Sequence, residues 1–481
     1  MLFNSLVFVV FAVVFYSIWP LVRTRDATRW GFLVVASFVF YGWWDWRFLF
    51  LIIASGTIDY FAGIGIERYP RFKKSILWLS ISCNIGTLSI FKYSGFFARN
   101  LDVALNWIGL SAHTADHLPY FVTIIPIGIS FYTFQSMSYT IDIYRGNLSP
   151  TRNVFHFFAY LSMFPQLVAG PIVRASDMLA QLKTVRPVSE SDRWEGLKLI
   201  VYGLFKKMVI ADNLAQQVNF VFENPTQSGS CSLWWLTALL FSVQIYCDFS
   251  GYTDIARGLG RWMGLHIRKN FDHPYSATSL RDFWQRWHIS LSTWFRDYVY
   301  FPLGGNRRGS FRRSVNIFVT MLLSGLWHGA SWTFLVWGLY HAACYTFERL
   351  VRWRQFAWRV PVAGKVVVYI VVQIQILAGW VFFRSTSWEQ AVHILSSMFF
   401  PWSGTDRSWP MFNEAQQFLF YQAVALSFLV IVREISFLLF SDERRHCLTF
   451  DRRVMPLLVG LMIAACIFLR GPGNNFIYFQ F

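Results

Sequence analysis

Apolar runs recur along the whole chain, separated by short clusters of basic residues. The first covers Leu2 to Pro20. The next two, Gly31 to Trp44 and Phe48 to Ile66, meet at the aromatic cluster Trp43-Trp44-Asp45-Trp46. Further runs cover Ser75 to Phe91, Pro126 to Gly146, Phe155 to Val173, Leu197 to Ala215, Leu233 to Ser250, Ser314 to Phe347, Lys365 to Phe383, Phe418 to Val432 and Met455 to Leu469. A hydrocarbon core about 30 Å thick takes about 20 helical residues to cross, so the pattern predicts an all-α polytopic membrane protein of about ten to twelve membrane helices. The first run lacks a preceding basic region and a small-residue cleavage site, so it is expected to remain as a helix. Arg23, Arg25 and Arg29 follow it, which places that loop in the cytoplasm and the N-terminus outside.

Two runs do not fit a simple crossing. Phe155 to Val173 has basic residues at both ends (Arg145 and Arg152, then Arg174 and Lys183) and carries Pro165, Gly170 and Pro171, which predicts a re-entrant hairpin. Ser314 to Phe347 contains no Asp, Glu, Lys or Arg. As one helix it would be about 50 Å long, so it must tilt, break or fold back. The expected breaks are Ser324-Gly325 or Gly329-Ala330-Ser331. Elsewhere, Lys206 and Lys207 weaken the Leu197 to Ala215 crossing. The stretch from Gly251 to Arg313 is rich in arginine and is expected at the cytoplasmic face. Within it, Arg281 to Phe301 predicts one interfacial helix, with Trp284, Trp287, His288, Leu291 and Phe295 on one face and Arg281, Gln285, Ser292 and Arg296 away from it.

Composition agrees with the pattern. Of 481 residues, 55% are hydrophobic and 14% charged, against a globular average near 25% charged. The net charge of +17 lies in clusters between apolar runs, as the positive-inside rule demands, and not on a nucleic-acid-binding domain. Six scattered cysteines without a CxxC pair give neither a zinc site nor a disulfide framework, and no bound cofactor or metal is expected. His113 and His117 read as part of a solvated outer loop. No GxSxG elbow, P-loop or HExxH motif is present, so hydrolase, nucleotidase and zinc-protease readings have no support.

The candidate chemistry lies in polar groups set among apolar ones. His328 stands at membrane depth between Trp327 and Gly329, and ionisable groups there usually face a bundle interior or a water-filled cavity. His341 is the second imidazole of that run. His288 lies in the aromatic, basic stretch before it and could meet His328 from the cytoplasmic side. A histidine can act as general base near neutral pH, and a second can donate to a developing oxyanion. Trp284, Trp287 and Trp327 are candidate tunnel walls or interfacial anchors. Gln285, Arg286 and Arg296 are candidate contacts to an anionic ligand, which the resemblance described below implies is acetyl-coenzyme A. Gln135 is either cavity lining or a bond between helices. Asp248 and Asp254 could orient a base or pair with Arg257. A transporter with a histidine proton relay and a recruiting scaffold are the competing functions; internal duplication, which transporters usually show, is not seen.

Four blocks carry a family resemblance: FPQLVAGPIVR at Phe164 to Arg174, QIYCDFSGYTDIARG at Gln244 to Gly258, FWQRWHISLSTWFRD at Phe283 to Asp297, and WHG at Trp327 to Gly329. In this order they resemble the membrane-bound O-acyltransferase family, most closely its bacterial polysaccharide O-acetylation branch, as in alginate, with D-alanyl transfer to teichoic acids nearby. The resemblance implies one integral membrane domain over residues 1–481, with its core motifs at about 120–350, built as a helical bundle around a central funnel or tunnel. It implies His328 as the family's histidine in WHG and His288 as the second catalytic histidine. It also implies acyl transfer from a cytoplasmic thioester across the inner membrane to an extracytoplasmic SGNH-type transferase that modifies an exported polymer.

Overall fold

The computed structural model describes residues 1–168, 170–224, 230–353, 355–356, 362–400, 414–439, 454–474 and 476–477. Among them the regular elements are all helical. In chain order they are α1 (Leu6–Val22), α2 (Asp26–Asp45), α3 (Leu49–Arg68), α4 (Lys73–Leu88), α5 (Ser94–Trp107), α6 (Ile129–Tyr144), α7 (Val154–Leu161), α8 (Ala175–Lys183), α9 (Glu190–Leu204) and α10 (Asp212–Glu223). There follow α11 (Cys231–Met263), α12 (Leu280–Arg286), α13 (Ile289–Phe295), α14 (Gly309–His328), α15 (Trp332–Leu350), α16 (Val362–Arg384), α17 (Trp388–Phe399), α18 (Glu414–Leu439) and α19 (Met455–Phe468). Single α-helical turns at Tyr120–Thr123 and Phe164–Leu167 and short 3-10 and π-helical turns lie between several of them.

Four helical stretches among the described residues are long and apolar enough to cross a membrane: Asp26–Arg68, Pro70–Trp107, Gly364–Arg384 and Gln416–Leu438. Leu6–Val22 and Met455–Phe468 are shorter apolar helices. The expected ten to twelve crossings therefore compare with four long stretches and two short ones. The basic loop Asp442 to Arg453, part of the stretch Arg349 to Arg359 and residues 478–481 lie outside the described residues.

The chain divides into two compact units, residues 1–200 with 255–268, and residues 201–254 with 269–481. In the first, α3, α4 and α6 pack together. Gly56 and Gly63 on α3 allow close approach: a Cβ would come within 2.7 Å of the Phe158 and Tyr139 rings, respectively. Buried Asp59 accepts from Ser80 Oγ (2.5 Å), Asn84 Nδ2 (2.7 Å) and Ser136 Oγ, so its carboxylate is met by hydroxyl and amide donors from α4 and α6. This satisfies a group that would otherwise be costly to bury. The Phe155 to Val173 run is broken as expected. Asn153 caps α7 by accepting from His156 N (3.1 Å), and this eight-residue helix stops at Leu161. At about 12 Å it is too short to cross.

Two arginines expected at the cytoplasmic face, Arg29 in a loop and Arg257 in the section after Ser250, are built into helices. Arg29 lies in α2 and is buried, donating to the backbone oxygens of Arg23, Leu182 and Lys183. Its charge is taken up by carbonyls and Asp26, not by solvent. Arg257, expected at the start of a cytoplasmic section, is on α11, which runs unbroken past Gly251 to Met263. Nothing between Ser250 and Met263 stops a helix; Gly251 and Gly258 meet backbone oxygens so closely (2.8 and 2.6 Å from a built Cβ) that any larger residue would clash.

In the second unit α14 packs along α15, and α15 packs on α16. The Lys206-Lys207 pair, read as a weakness in a crossing, is buried in a π-helical turn, Phe205–Ala211, between α9 and α10. Each ammonium has carboxylate partners: Lys206 with Asp254 (2.5 Å), and Lys207 with Asp212 and Asp248 (2.8 Å each).

Candidate active site

The charge-free run folds back at the second of its expected breaks. Helix α14 ends at His328, Gly329 is extended, and Ser331 caps α15 by accepting from Thr333 N at 3.3 Å. Glycines permit the hairpin. A Cβ on Gly325 would lie 2.2 Å from the Phe334 carbonyl oxygen, one on Gly338 2.4 Å from that of Met321, and one on Gly329 2.2 Å from the Phe334 ring. The fold-back therefore fixes His328 at a helix terminus, 4% exposed, within an aromatic box. Its ring lies 5.0 Å from Trp327, 5.0 Å from Trp337 and 5.2 Å from Phe383.

His288 reaches the same box by a route that helical periodicity does not show. The expected single helix from Arg281 to Phe301 is two helices, α12 and α13, parted at Trp287 and His288. Ser279 caps α12 through Asp282 N (3.1 Å), and Trp287 leaves it in an extended conformation. His288 then takes a left-handed backbone, φ +43°, which is uncommon for any residue but glycine. A neighbouring strand of chain holds it there: Asn270 O accepts from Ile289 N (2.9 Å), and Asn270 Oδ1 faces His288 Nδ1 (3.3 Å), Ser290 N (3.1 Å) and Ser290 Oγ (2.9 Å). The ring is 1% exposed and packs against Phe249 (4.7 Å), Phe271 (6.3 Å) and Trp327 (6.0 Å). Burial pushes its pKa down to about 3, so the imidazole is neutral. Trp327 thus neighbours both imidazoles.

The remaining candidates separate. Trp284 contacts Trp337 (5.6 Å) and His341 (5.1 Å). Trp287 is a core residue, stacked on Phe283 and beside Trp380, so it does not anchor a helix at an interface. Gln285 and Arg296 are exposed. Arg296 pairs with Asp297 (2.7 Å), and Arg286 with Asp282 (2.8 Å) and the Asp272 carbonyl oxygen (3.2 Å). Asp248 is buried against Lys207 and accepts from Ile477 N (2.7 Å); Asp254 pairs with Lys206. These two lysines come from the π-helical turn between α9 and α10, and the sequence does not disclose that they meet the carboxylates of α11. Gln135 belongs to the first unit. It is buried on α6, its carbonyl oxygen accepts from Tyr160 Oη (3.0 Å), and its side-chain amide has no hydrogen-bond partner among the described residues. His341 is a packing residue: Trp337 lies 4.9 Å away, and a Cβ on Gly379 would come 2.7 Å from its Nε2.

Asn270, Trp337 and Phe383 adjoin the two candidate imidazoles and escape sequence reasoning. Trp337 was recoverable, lying nine residues after His328 beyond a fold-back. Asn270 and Phe383 carry no local signal.

Two buried imidazoles flank one indole beside a helix break, in a helical protein with membrane-length apolar helices. Residues 146–386 match the model of the membrane-bound O-acyltransferase (MBOAT) family, and the chain belongs to that family. It is 38% identical to the probable alginate O-acetylase AlgI of Pseudomonas putida, over 83% of this chain and 80% of that one. It is 36% identical to the peptidoglycan O-acetyltransferase of Helicobacter pylori, over 76% and 73%, and 28% identical to the teichoic acid D-alanyltransferase of Bacillus subtilis, over 48% and 60%. The protein is an O-acyltransferase.

Proposed function

We propose that this protein moves an acetyl group from a cytoplasmic thioester, acetyl-coenzyme A, across the bacterial inner membrane for O-acetylation of an exported polysaccharide such as alginate. The observation that carries the reading is the meeting of His288 and His328 on Trp327, two imidazoles from separate sequence blocks at one buried locus. An acyl transfer needs a group that takes the proton of the incoming hydroxyl and a donor to the oxyanion of the tetrahedral intermediate. The two rings divide this work. The C–O bond forms, the C–S bond breaks, and the thiolate leaves with the proton taken from the alcohol. The arginines of the 257–313 section draw the phosphate-rich donor to the cytoplasmic side. An extracytoplasmic SGNH-type transferase takes the acetyl group onward to the polymer.

The relatives named for alginate and peptidoglycan acetylation support an acetyl group and a polymer acceptor. The weaker likeness to a D-alanyltransferase makes a carrier-protein thioester the rival donor. The test is purified protein in liposomes, supplied with acetyl-coenzyme A on one face and the partner transferase on the other. Release of free thiol that requires the partner is the expected result. Thiol release from an acetylated carrier protein, with acetyl-coenzyme A inert, would replace the donor.

A further inference from the structure

Asn270 determines which nitrogen of His288 carries the ring proton. Its side-chain oxygen faces Ser290 N at 3.1 Å. A backbone N–H only donates, so the amide atom opposite must be oxygen; the reversed amide would set two N–H groups against each other. The Ser290 hydroxyl lies 2.9 Å from the same oxygen and only 3.5 Å from His288 Nδ1, so its proton faces Asn270. His288 Nδ1 is 3.3 Å from that oxygen. Lone pair would oppose lone pair unless Nδ1 bears the hydrogen. A neutral imidazole has a single N–H, which leaves Nε2 bare.

The orientation is held firmly. Asn270 is fully buried, and its carbonyl accepts from Ile289 N. Its Nδ2 has no acceptor among the described residues. Leaving a buried donor unmet is costly, so the amide is turned by what its oxygen receives.

We propose that Asn270 is a positioning residue that locks His288 as the Nδ1–H tautomer, so that Nε2 takes the proton of the incoming hydroxyl and does not donate to the oxyanion. This gives the proton-accepting role to His288, and it rests on the reading of His288 as a site residue for acyl transfer. In the step, the hydroxyl O–H breaks with its hydrogen passing to Nε2, the oxygen bonds to the thioester carbon, and the expelled thiolate receives that hydrogen from the imidazolium.

The test is nitrogen NMR of the full-length protein carrying ring-labelled histidine, with His288→Gln identifying the His288 signals. The expected spectrum at neutral pH has His288 Nδ1 protonated and Nε2 bare. Asn270→Ala should admit the other tautomer and lower kcat at least about tenfold with KM little changed, as loss of an orienting partner does for other histidines. Asn270→Asp, which keeps an acceptor at that place, should retain the tautomer and most of kcat. A proton on Nε2 in the native protein, or loss of activity in Asn270→Asp equal to that in Asn270→Ala, overturns the proposal. Should Asn270→Ala fail to accumulate, the native spectrum and Asn270→Asp decide. Normal transfer by His288→Gln would instead refute the underlying reading, whereas an inactive His288→Gln with a proton on Nε2 refutes the tautomer alone.

Discussion

The imidazole of His288 lies 6.0 Å from the indole of Trp327, ring centre to ring centre, with the planes at 66°. Trp327 is in turn the neighbour of His328 in both sequence and space. The indole therefore sets the spacing of the two imidazoles. Replacing it with alanine should cost about 3–5 kcal/mol, as for other buried tryptophans, and should remove acyl transfer with it. Trp327→Phe should fold, because an aromatic ring still fills most of the space, and should lower kcat by letting the rings shift. Thermal unfolding in detergent together with thiol release checks both; a Trp327→Phe protein as active as the native one would show that the spacing does not matter.

Lys207 is the sole ammonium paired with two buried carboxylates, Asp212 and Asp248, among the described ion pairs. Lys207→Met would leave both acids buried without that cation, and breaking a buried pair costs about 3–5 kcal/mol. Asp248 also accepts from Ile477 N, so the loss should loosen the docking of residues 471–474 and 476–477, where Gly471 N is bound to the Met208 carbonyl oxygen and Asn474 N to Asp212. The expected outcome is a lower melting temperature and faster C-terminal proteolysis. A Lys207→Met protein that melts with the native one would mean that the network contributes specificity only.

His288 makes stability depend on pH in a definite direction. Its pKa falls from the ordinary value near 6.5 to about 3 on burial. Between these values the unfolded chain binds a proton that the folded chain does not, so stability is full above about pH 6.5 and declines as the pH falls toward 3. Melting curves of native protein and His288→Gln from pH 7 to pH 4 should converge in acid as the native protein loses this contribution. Parallel curves would show that His288 is not buried as a neutral ring.

Much of this fold was legible because membranes impose simple arithmetic. A charge-free run well over the length needed for one crossing had to tilt, break or fold back, and glycines marked the place, so His328 was located at the turn of α14 and α15. The break at His288 was hidden. No Gly or Pro lies between Arg281 and Phe301, and the helix is interrupted by Asn270, whose hold on Ile289 and Ser290 is a tertiary bond that periodicity cannot register. The partners of the lysine pair were hidden for the same reason: Lys206 and Lys207 are unfavourable in an apolar helix taken alone, and Asp248 and Asp254 of α11, which they meet, lie some 40 residues further on. Arg286 and Arg296, read as contacts for an anion, turned out to have carboxylate neighbours at i−4 and i+1, pairs that sequence spacing alone offered.

The most direct test is polymer O-acetylation in cells whose own copy is replaced by His328→Ala or His288→Ala, with membrane levels of each protein measured alongside. Both variants should accumulate normally and leave the polymer without acetyl groups. Native acetylation by either one, at equal protein level, would contradict a site built on this pair of imidazoles.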